Sequence, residues 1–140
     1  MLIVKRLDPS AIIPTVAHTG EDIDADLYSI EDCVLEPGSV HAIRTGIAIQ
    51  FVDPVRGAIV KTRSSYAKRG VTVLGGEIDA GYIGEIMVFL SNLGSQNFSI
   101  SKGDRIAQFR PTQVWVDFIN EERTLEETHR GTAGFGSTGK

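Results

Sequence analysis

The chain has 140 residues, 41% of them hydrophobic and 23% charged, and a formal net charge of −4. That length suits one domain burying roughly two thirds of the surface its unfolded form exposes, and the composition is that of an ordinary globular protein rather than a disordered one. The negative balance gives no general attraction to phosphate backbones, so stable nucleic-acid binding is disfavoured, although a local cluster of cations could still take a nucleotide.

No stretch approaches the roughly 18 uninterrupted apolar residues that a transmembrane helix needs. Lys5, Arg6 and Asp8 interrupt the apolar residues before Pro14, where a signal-peptide core would have to lie. The expectation is a cytoplasmic protein, or one of the host cytoplasm if the source is viral, with no membrane partner. Cys33 is the only cysteine, which excludes an intrachain disulfide and argues against zinc chemistry.

In chain order, the first suggestive segment is Ile23-Asp24-Ala25-Asp26-Leu27. Two carboxylates two residues apart suit Mg²⁺ held through water, because that ion dehydrates reluctantly and accepts few direct protein ligands. Asp24 and Glu21 read as solvated loop carboxylates, whereas Leu27 beside Asp26 suggests the start of a strand. Glu36-Pro37-Gly38-Ser39 and Asp53-Pro54 are turn signals, and between and after them Ser39 to Phe51 and Gly57 to Arg63 read as the two strands of a hairpin.

At the end of the second strand stands Thr62-Arg63-Ser64-Ser65. Exposed backbone N–H groups, two hydroxyls and a guanidinium together make an anion site. The same residues also fit a helix N-cap beside a surface arginine, since Ser64 to Arg69 can form one helical turn. Gly75-Gly76-Glu77-Ile78-Asp79-Ala80-Gly81-Tyr82-Ile83-Gly84 follows, a glycine-rich hairpin with a carboxylate and an aromatic three residues apart. Glycine lets a backbone approach a ligand closely, and a carboxylate ionised at neutral pH can serve as a base. The plain alternative is an Asp that accepts turn hydrogen bonds and a Tyr that packs on the sheet.

Ile86 to Leu90 is apolar at every position, as a strand covered on both faces would be. Asn97 to Ile100 alternates Phe98 and Ile100 with polar residues, and Lys102-Gly103-Asp104 is a further turn. Short strands at this density, without any clear 3.6-residue apolar period, predict a sandwich, jelly roll or barrel. Beyond Arg123 the character changes. Glu121 to Glu127 holds four glutamates, and Gly131 to Lys140 holds four glycines and almost nothing able to enter a core, which reads as a mobile arm. Gly134 to Lys140 superficially spells a phosphate-binding Walker A loop, but the Ser or Thr and the helix that must follow the lysine are missing. His18, His41 and His129 have no spacing that suggests a metal site or a catalytic triad.

Taken together and in order, Asp24 to Ser29, Arg63 to Gly70, Gly75 to Glu85, Gly103 to Gln108 and Arg130 to Gly139 resemble the five motifs of the trimeric dUTPase family. Each is modest alone, and the specificity lies in five of them at family-like spacing. The resemblance implies an all-β jelly-roll barrel over residues 1–128 with a flexible C-terminal arm, residues 129–140, closing over an active site. It also implies a homotrimer with active sites shared between chains, and a Mg²⁺-assisted hydrolase that splits dUTP into dUMP and diphosphate. Such an enzyme limits uracil incorporation into DNA and supplies dUMP for dTMP synthesis.

Carried over by position, Asp79 would activate the water that attacks the α-phosphorus, and Tyr82 would pack on the deoxyribose and exclude a 2′-hydroxyl. The backbone from Gly76 to Ile78 would read the uracil edge. Arg63, Ser64 and Ser65 would hold the phosphates with Gln108 nearby, and Asp26 would anchor Arg63 or a metal-bound water. In the arm, Phe135 would stack on uracil, while Arg130, Ser137 and Thr138, with Gly136 among them, would grip the outer phosphates. The chain departs from the family at Thr62-Arg63-Ser64-Ser65-Tyr66, where Pro-Arg-Ser-Gly-Leu is common, and at Ile83, where an arginine is common. Both departures lean toward the related dCTP deaminases. Those enzymes, however, resemble one another in a catalytic glutamate ten residues after the equivalent of Asp79, and here that position is Phe89, which transfers no proton. A relative that binds the nucleotide without cleaving it is a third reading, against which stands the retained Asp79.

Overall fold

The computed structural model describes residues 1–18, 21–52, 56–115, 119–122, 124 and 126–129. Among these residues ten strands and one short helix follow one another: β1 (Leu2–Arg6), β2 (Ala25–Tyr28), β3 (Cys33–Leu35), β4 (Val40–Phe51), β5 (Arg56–Lys61), α1 (Ser64–Ala67), β6 (Val71–Val73), β7 (Glu77–Ile78), β8 (Glu85–Asn92), β9 (Phe98–Ile100) and β10 (Arg105–Gln113). They form a four-stranded sheet in the order β1-β4-β8-β6, a second in the order β2-β10-β5-β7, and a two-stranded β3-β9 pair, all antiparallel.

Alternation along the strands decides which side of each sheet faces inward. On β5, Ala58 and Val60 are buried while Ile59 and Lys61 are exposed; on β10, Ala107 and Phe109 are buried and Gln108 and Arg110 look the other way. The inward residues of both larger sheets meet in one core. Ile43 and Ile47 of β4, Ile86 and Leu90 of β8, Leu27 of β2 and Phe109 of β10 are all but inaccessible, and each such side chain contributes roughly 1.5–3 kcal/mol of burial. Two antiparallel sheets closing on one core make this a jelly roll.

β4 is broken by a bulge. Its pairing with β8 shifts between Arg44 and Ala48, and Gly46, at φ +67°, stands inside the shift. A side chain there would come within 3.0 Å of the Cβ atoms of Ala11 and Asp8, so only glycine fits. At the far end of β8, the buried Asn92 ties the small sheet to the large one. Its Nδ2 donates to the carbonyls of Leu35 and Gln96, both at 2.8 Å, and its Oδ1 accepts from Gly94 N at 2.9 Å.

Three sequence expectations are corrected here. The strands after Ser39 and Gly57 are not a hairpin: β4 pairs with β1 and β8, β5 with β10 and β7, so the chain changes sheet between them. Nor is the glycine-rich segment a hairpin. β7 pairs with β5 (Ala58 opposite Ile78) and β8 with β4 and β6, so residues 79–84 cross from one sheet to the other. Finally, β8 is covered on one side only within the chain. Ile86, Val88 and Leu90 are buried, but Phe89 is 48% exposed. An unbroken apolar run says that both faces are apolar, not that both are covered. The proposed arm residues Arg130, Phe135, Gly136, Ser137 and Thr138 lie outside the described residues.

Candidate active site

The sheet-crossing segment is shaped by its glycines. Gly75 and Gly76 have φ of +66° and +102°, backbone states that L side chains rarely adopt. At Gly76 a further constraint acts: a Cβ would stand 2.4 Å from the carbonyl oxygen of Val60. The closeness is used, because Val60 N donates to Gly76 O at 2.6 Å and fixes the loop to β5. Beyond β7 the chain turns on Asp79, whose carbonyl accepts from Tyr82 N at 3.0 Å. The Tyr82 ring then folds back over Gly84, and its hydroxyl donates to Glu85 O at 2.9 Å.

These turns enclose a pocket of about 440 Å³. Gly76, Ile78, Asp79 and Tyr82 line it, joined by the apolar side chains of Val60 and Phe89. Three carboxylates reach it. Glu85 is engaged: both its oxygens face Arg44 Nε at 3.2 Å, and Oε1 also accepts from Gly46 N at 2.9 Å, which binds the β4 bulge to the start of β8. Asp79 and Glu77 are exposed and their carboxylates have no partner among the described residues. Phe89, singled out because a carboxylate would be needed at its position for deamination, is part of the same lining.

The remaining sequence-predicted residues gather elsewhere. Asp26 is 7% exposed and sits between two arginines: Arg63 Nε lies 3.3 Å from its Oδ1 and Arg105 Nη1 lies 3.3 Å from its Oδ2. The contact to Arg63 Nε is an ion pair without hydrogen-bond alignment, whereas Arg63 Nη1 donates to Arg105 O at 3.0 Å. Arg63 is itself the N-cap residue of α1 and gives no side-chain cap. Its guanidinium is mostly buried, so the surface-arginine alternative does not describe it. Ser64 and Ser65 open the helix, exposed, with hydroxyls that bond to nothing among the described residues. α1 is anchored through buried Tyr66, whose ring meets Phe98 edge-on at 4.6 Å and whose phenol is pushed by burial up to about 12.

With both carboxylate oxygens facing guanidinium groups, the donor set of Asp26 does not fit a metal ion, which two adjacent cations would repel. Among the described residues, no three His, Cys, Asp or Glu side chains converge as a cage either.

Asp24 is not the solvated loop carboxylate its sequence context suggests. Arg110 approaches it with Nε 2.5 Å from Oδ1 and Nη2 3.1 Å from Oδ2, and Lys61 Nζ is 3.5 Å from Oδ2. Burial alone would raise its pKa, but the hydrogen bonds from Arg110 and the charge of Lys61 outweigh burial and hold it below the ordinary 3.8. A depressed folded value means that the pairing stabilises the fold fully above about 3.8 and ceases to do so as pH falls through the lowered value. Asp24→Asn is expected to cost about 1–3 kcal/mol near neutrality, with the difference from the parent chain vanishing in strong acid when both are followed by denaturant melts. Sequence reading missed Arg110, Lys61 and the Arg44–Glu85 pair. Their partners lie 37 to 86 residues away along the chain, and no local pattern announces them.

The family model described as dUTPase matches residues 10–139. A deoxyuridine 5′-triphosphate nucleotidohydrolase of Clostridioides difficile is 44% identical over 139 residues, covering 97% of this chain and 96% of that protein. One of the same name from Solibacter usitatus is 40% identical over 98% of this chain and 95% of its own length. Among solved structures, the dUTPase of Staphylococcus bacteriophage 80alpha with dUpNHpp superposes with a TM-score of 0.91 at 26% identity, over 100% of this chain and 99% of that one. With a jelly roll, a glycine-shaped pocket holding two carboxylates that have no partner among the described residues, and these likenesses over nearly its whole length, the chain belongs to the dUTPase family and is a dUTP diphosphatase.

Proposed function

We propose that Asp79 orients and deprotonates the water that attacks the α-phosphorus of dUTP, releasing dUMP and diphosphate. The observation that carries this reading is position: of the two pocket carboxylates without a partner among the described residues, Glu77 belongs to β7 and stands opposite Ile59 of β5, whereas Asp79 sits at the turn that carries Tyr82, and Glu85 is committed to Arg44 and Gly46. A base must be ionised and unblocked to accept a proton from water. Tyr82, locked by its hydroxyl to Glu85 O, offers its ring to the deoxyribose, and a 2′-hydroxyl would meet that ring. The Gly76–Ile78 backbone offers the fixed donors and acceptors with which uracil can be told from cytosine.

Arg63, Ser64, Ser65 and Gln108 form the phosphate cradle, with Asp26 holding Arg63 in place. Mg²⁺ would accompany the triphosphate as part of the substrate and would supply neutralising charge for the diphosphate leaving group. The pocket around Asp79 includes none of Arg63, Ser64, Ser65, Gln108 or Asp26, so the two halves of the machinery occupy separate surfaces of one chain. That separation supports a homotrimer in which one chain's pocket faces another's cradle. The relative solved with dUpNHpp supports a uracil nucleotide as ligand. Residues 129–140 act as the closing arm, Phe135 on uracil and Arg130, Gly136, Ser137 and Thr138 at the phosphates. In the cell, a cytoplasmic enzyme of this kind would limit uracil in DNA and supply dUMP for dTMP synthesis.

The test is diphosphate release from dUTP, dCTP, dTTP and UTP with Mg²⁺, by the full chain and by a version ending at Glu127. Release is expected from dUTP alone at an appreciable rate, and the shortened protein should lose at least about a hundredfold in kcat/KM, because a lid excludes water and fixes the reacting geometry. Undiminished turnover by the shortened protein would remove the arm from the mechanism, and release of ammonia from dCTP would replace the reaction.

A further inference from the structure

The outer face of the β2-β10-β5 sheet carries more charge than the phosphate cradle accounts for. Antiparallel register sets Asp26, Gln108 and Lys61 side by side across the three strands, and residues directly opposite one another share a face. Two positions along β10, Arg110 grips Asp24 with both arms of its guanidinium. Lys61 is thus a third party at Asp24. Its amine stands 3.5 Å from an oxygen that already has a closer donor, and its side chain is 43% exposed while that of Asp24 is 8% exposed. An ion pair so long and so open adds little to what Arg110 already supplies to Asp24 and is given up easily.

On this face Lys61, Arg63, Arg105 and Arg110 stand against Asp24, Asp26 and, across β5, Glu77, four cations to three carboxylates. That local surplus belongs to a chain whose formal charge is −4. A positive patch on a negative protein is an electrostatic address for a small polyanion.

We propose that Lys61 is a further phosphate-binding residue of the dUTP site, parked on Asp24 until the triphosphate draws it away; this rests on the reading of Arg63, Ser64, Ser65 and Gln108 as the cradle. Lys61 precedes Arg63 by two residues and neighbours Gln108 in register. Its four-carbon stem lets the ammonium swing across that distance as a point charge. Arg110 keeps Asp24 fixed, so the amine waits at the cradle's edge rather than sampling solvent, and less side-chain freedom is lost on binding.

The experiment is steady-state diphosphate release from Mg²⁺·dUTP by full-length Lys61→Gln, Lys61→Arg and Arg63→Gln, at low and high salt, with melting temperatures measured alongside. Lys61→Gln is expected to raise KM roughly fivefold to tenfold, as loss of one charge-assisted contact does, with kcat within about twofold because binding common to ground and transition states is what is lost. Its KM should also rise less steeply with salt than that of the parent chain. Lys61→Arg, which keeps the cation, should restore KM to within about twofold, and neither change should move the melting temperature. If KM and its salt dependence are unaltered in Lys61→Gln while Arg63→Gln raises KM, the role of Lys61 is overturned and the cradle stands. If Arg63→Gln also leaves KM unaltered, the cradle itself is wrong. A KM rise shared by Lys61→Arg and accompanied by a lower melting temperature would assign the lysine to sheet structure instead.

Discussion

Asp79→Asn is expected to leave dUTP binding intact while slowing diphosphate release by roughly a hundredfold to ten-thousandfold. Asparagine keeps the shape of the side chain and can still hold a water molecule, but its amide accepts no proton at neutral pH. Because the Asp79 carboxylate has no partner among the described residues, its neutralisation leaves no buried cation unpaired, and the fold should melt where the parent does. Glu77→Gln is the informative neighbour. It removes an equal charge from the same pocket and should keep activity to within about tenfold, since the loss of field alone is smaller than the loss of a base. Single-turnover rates paired with calorimetric binding of a non-hydrolysable dUTP analogue would decide. An Asp79→Asn protein retaining a tenth of the parent rate, or losing binding and rate together, would remove the carboxylate from the role of base.

Gly76→Ala is the second large effect, and it arises from the backbone. A methyl group at that position would lie 2.4 Å from Val60 O, on a residue whose φ is +102°. The loop has to move, and in moving it gives up the 2.6 Å bond from Val60 N. Strain of this kind costs about 1–3 kcal/mol, to which the lost hydrogen bond adds about 1 kcal/mol. A fall in melting temperature of at least about 5 °C is expected on that basis, together with a KM for dUTP raised by roughly tenfold or more, as displaced base-reading groups imply. Gly75→Ala provides the comparison. Its φ is also positive, but a side chain there meets nothing within 4 Å, so only the conformational cost of about 1–2 kcal/mol applies. Equal behaviour of the two variants would show that the contact with Val60 has no bearing on the site.

Much of this molecule was legible in the residues. The turn punctuation and the short β-rich runs specify an all-β sandwich or jelly roll, and the single helical turn after Arg63 lies where the chain places α1. What the pattern could not give was partnership. Ala58, Ile59 and Val60 are apolar in a row, so the run does not say which side of β5 faces the core, and any strand with a matching face could pair with it. The nearest in sequence, β4, is the natural guess because neighbouring strands so often pair. The glycine-rich segment misled for the same reason: its composition marks a bend, and a bend between sheets needs the same residues as a bend within one. Charge was harder still. Asp24 resembles any acidic loop residue until folding brings Arg110 to it, and for Asp26 the family resemblance suggested Arg63 as a partner while nothing in the sequence pointed to Arg105. Gly76 could be singled out as a backbone that approaches something closely, yet the something, Val60 O, is set by long-range pairing alone.

The amide of Asn92 has a consequence for how far this sequence can drift. It faces two carbonyl oxygens with one end and a backbone N–H with the other, in a place closed to water. Aspartate has nearly the same outline, but it would set an anion against those two carbonyls, while leucine would leave all three groups stranded. Deamidation there would loosen the seam between the β3-β9 pair and the larger sheet, and the fold guards against it: the Leu93 N–H that would have to attack the amide is held by Gly70 O at 2.8 Å.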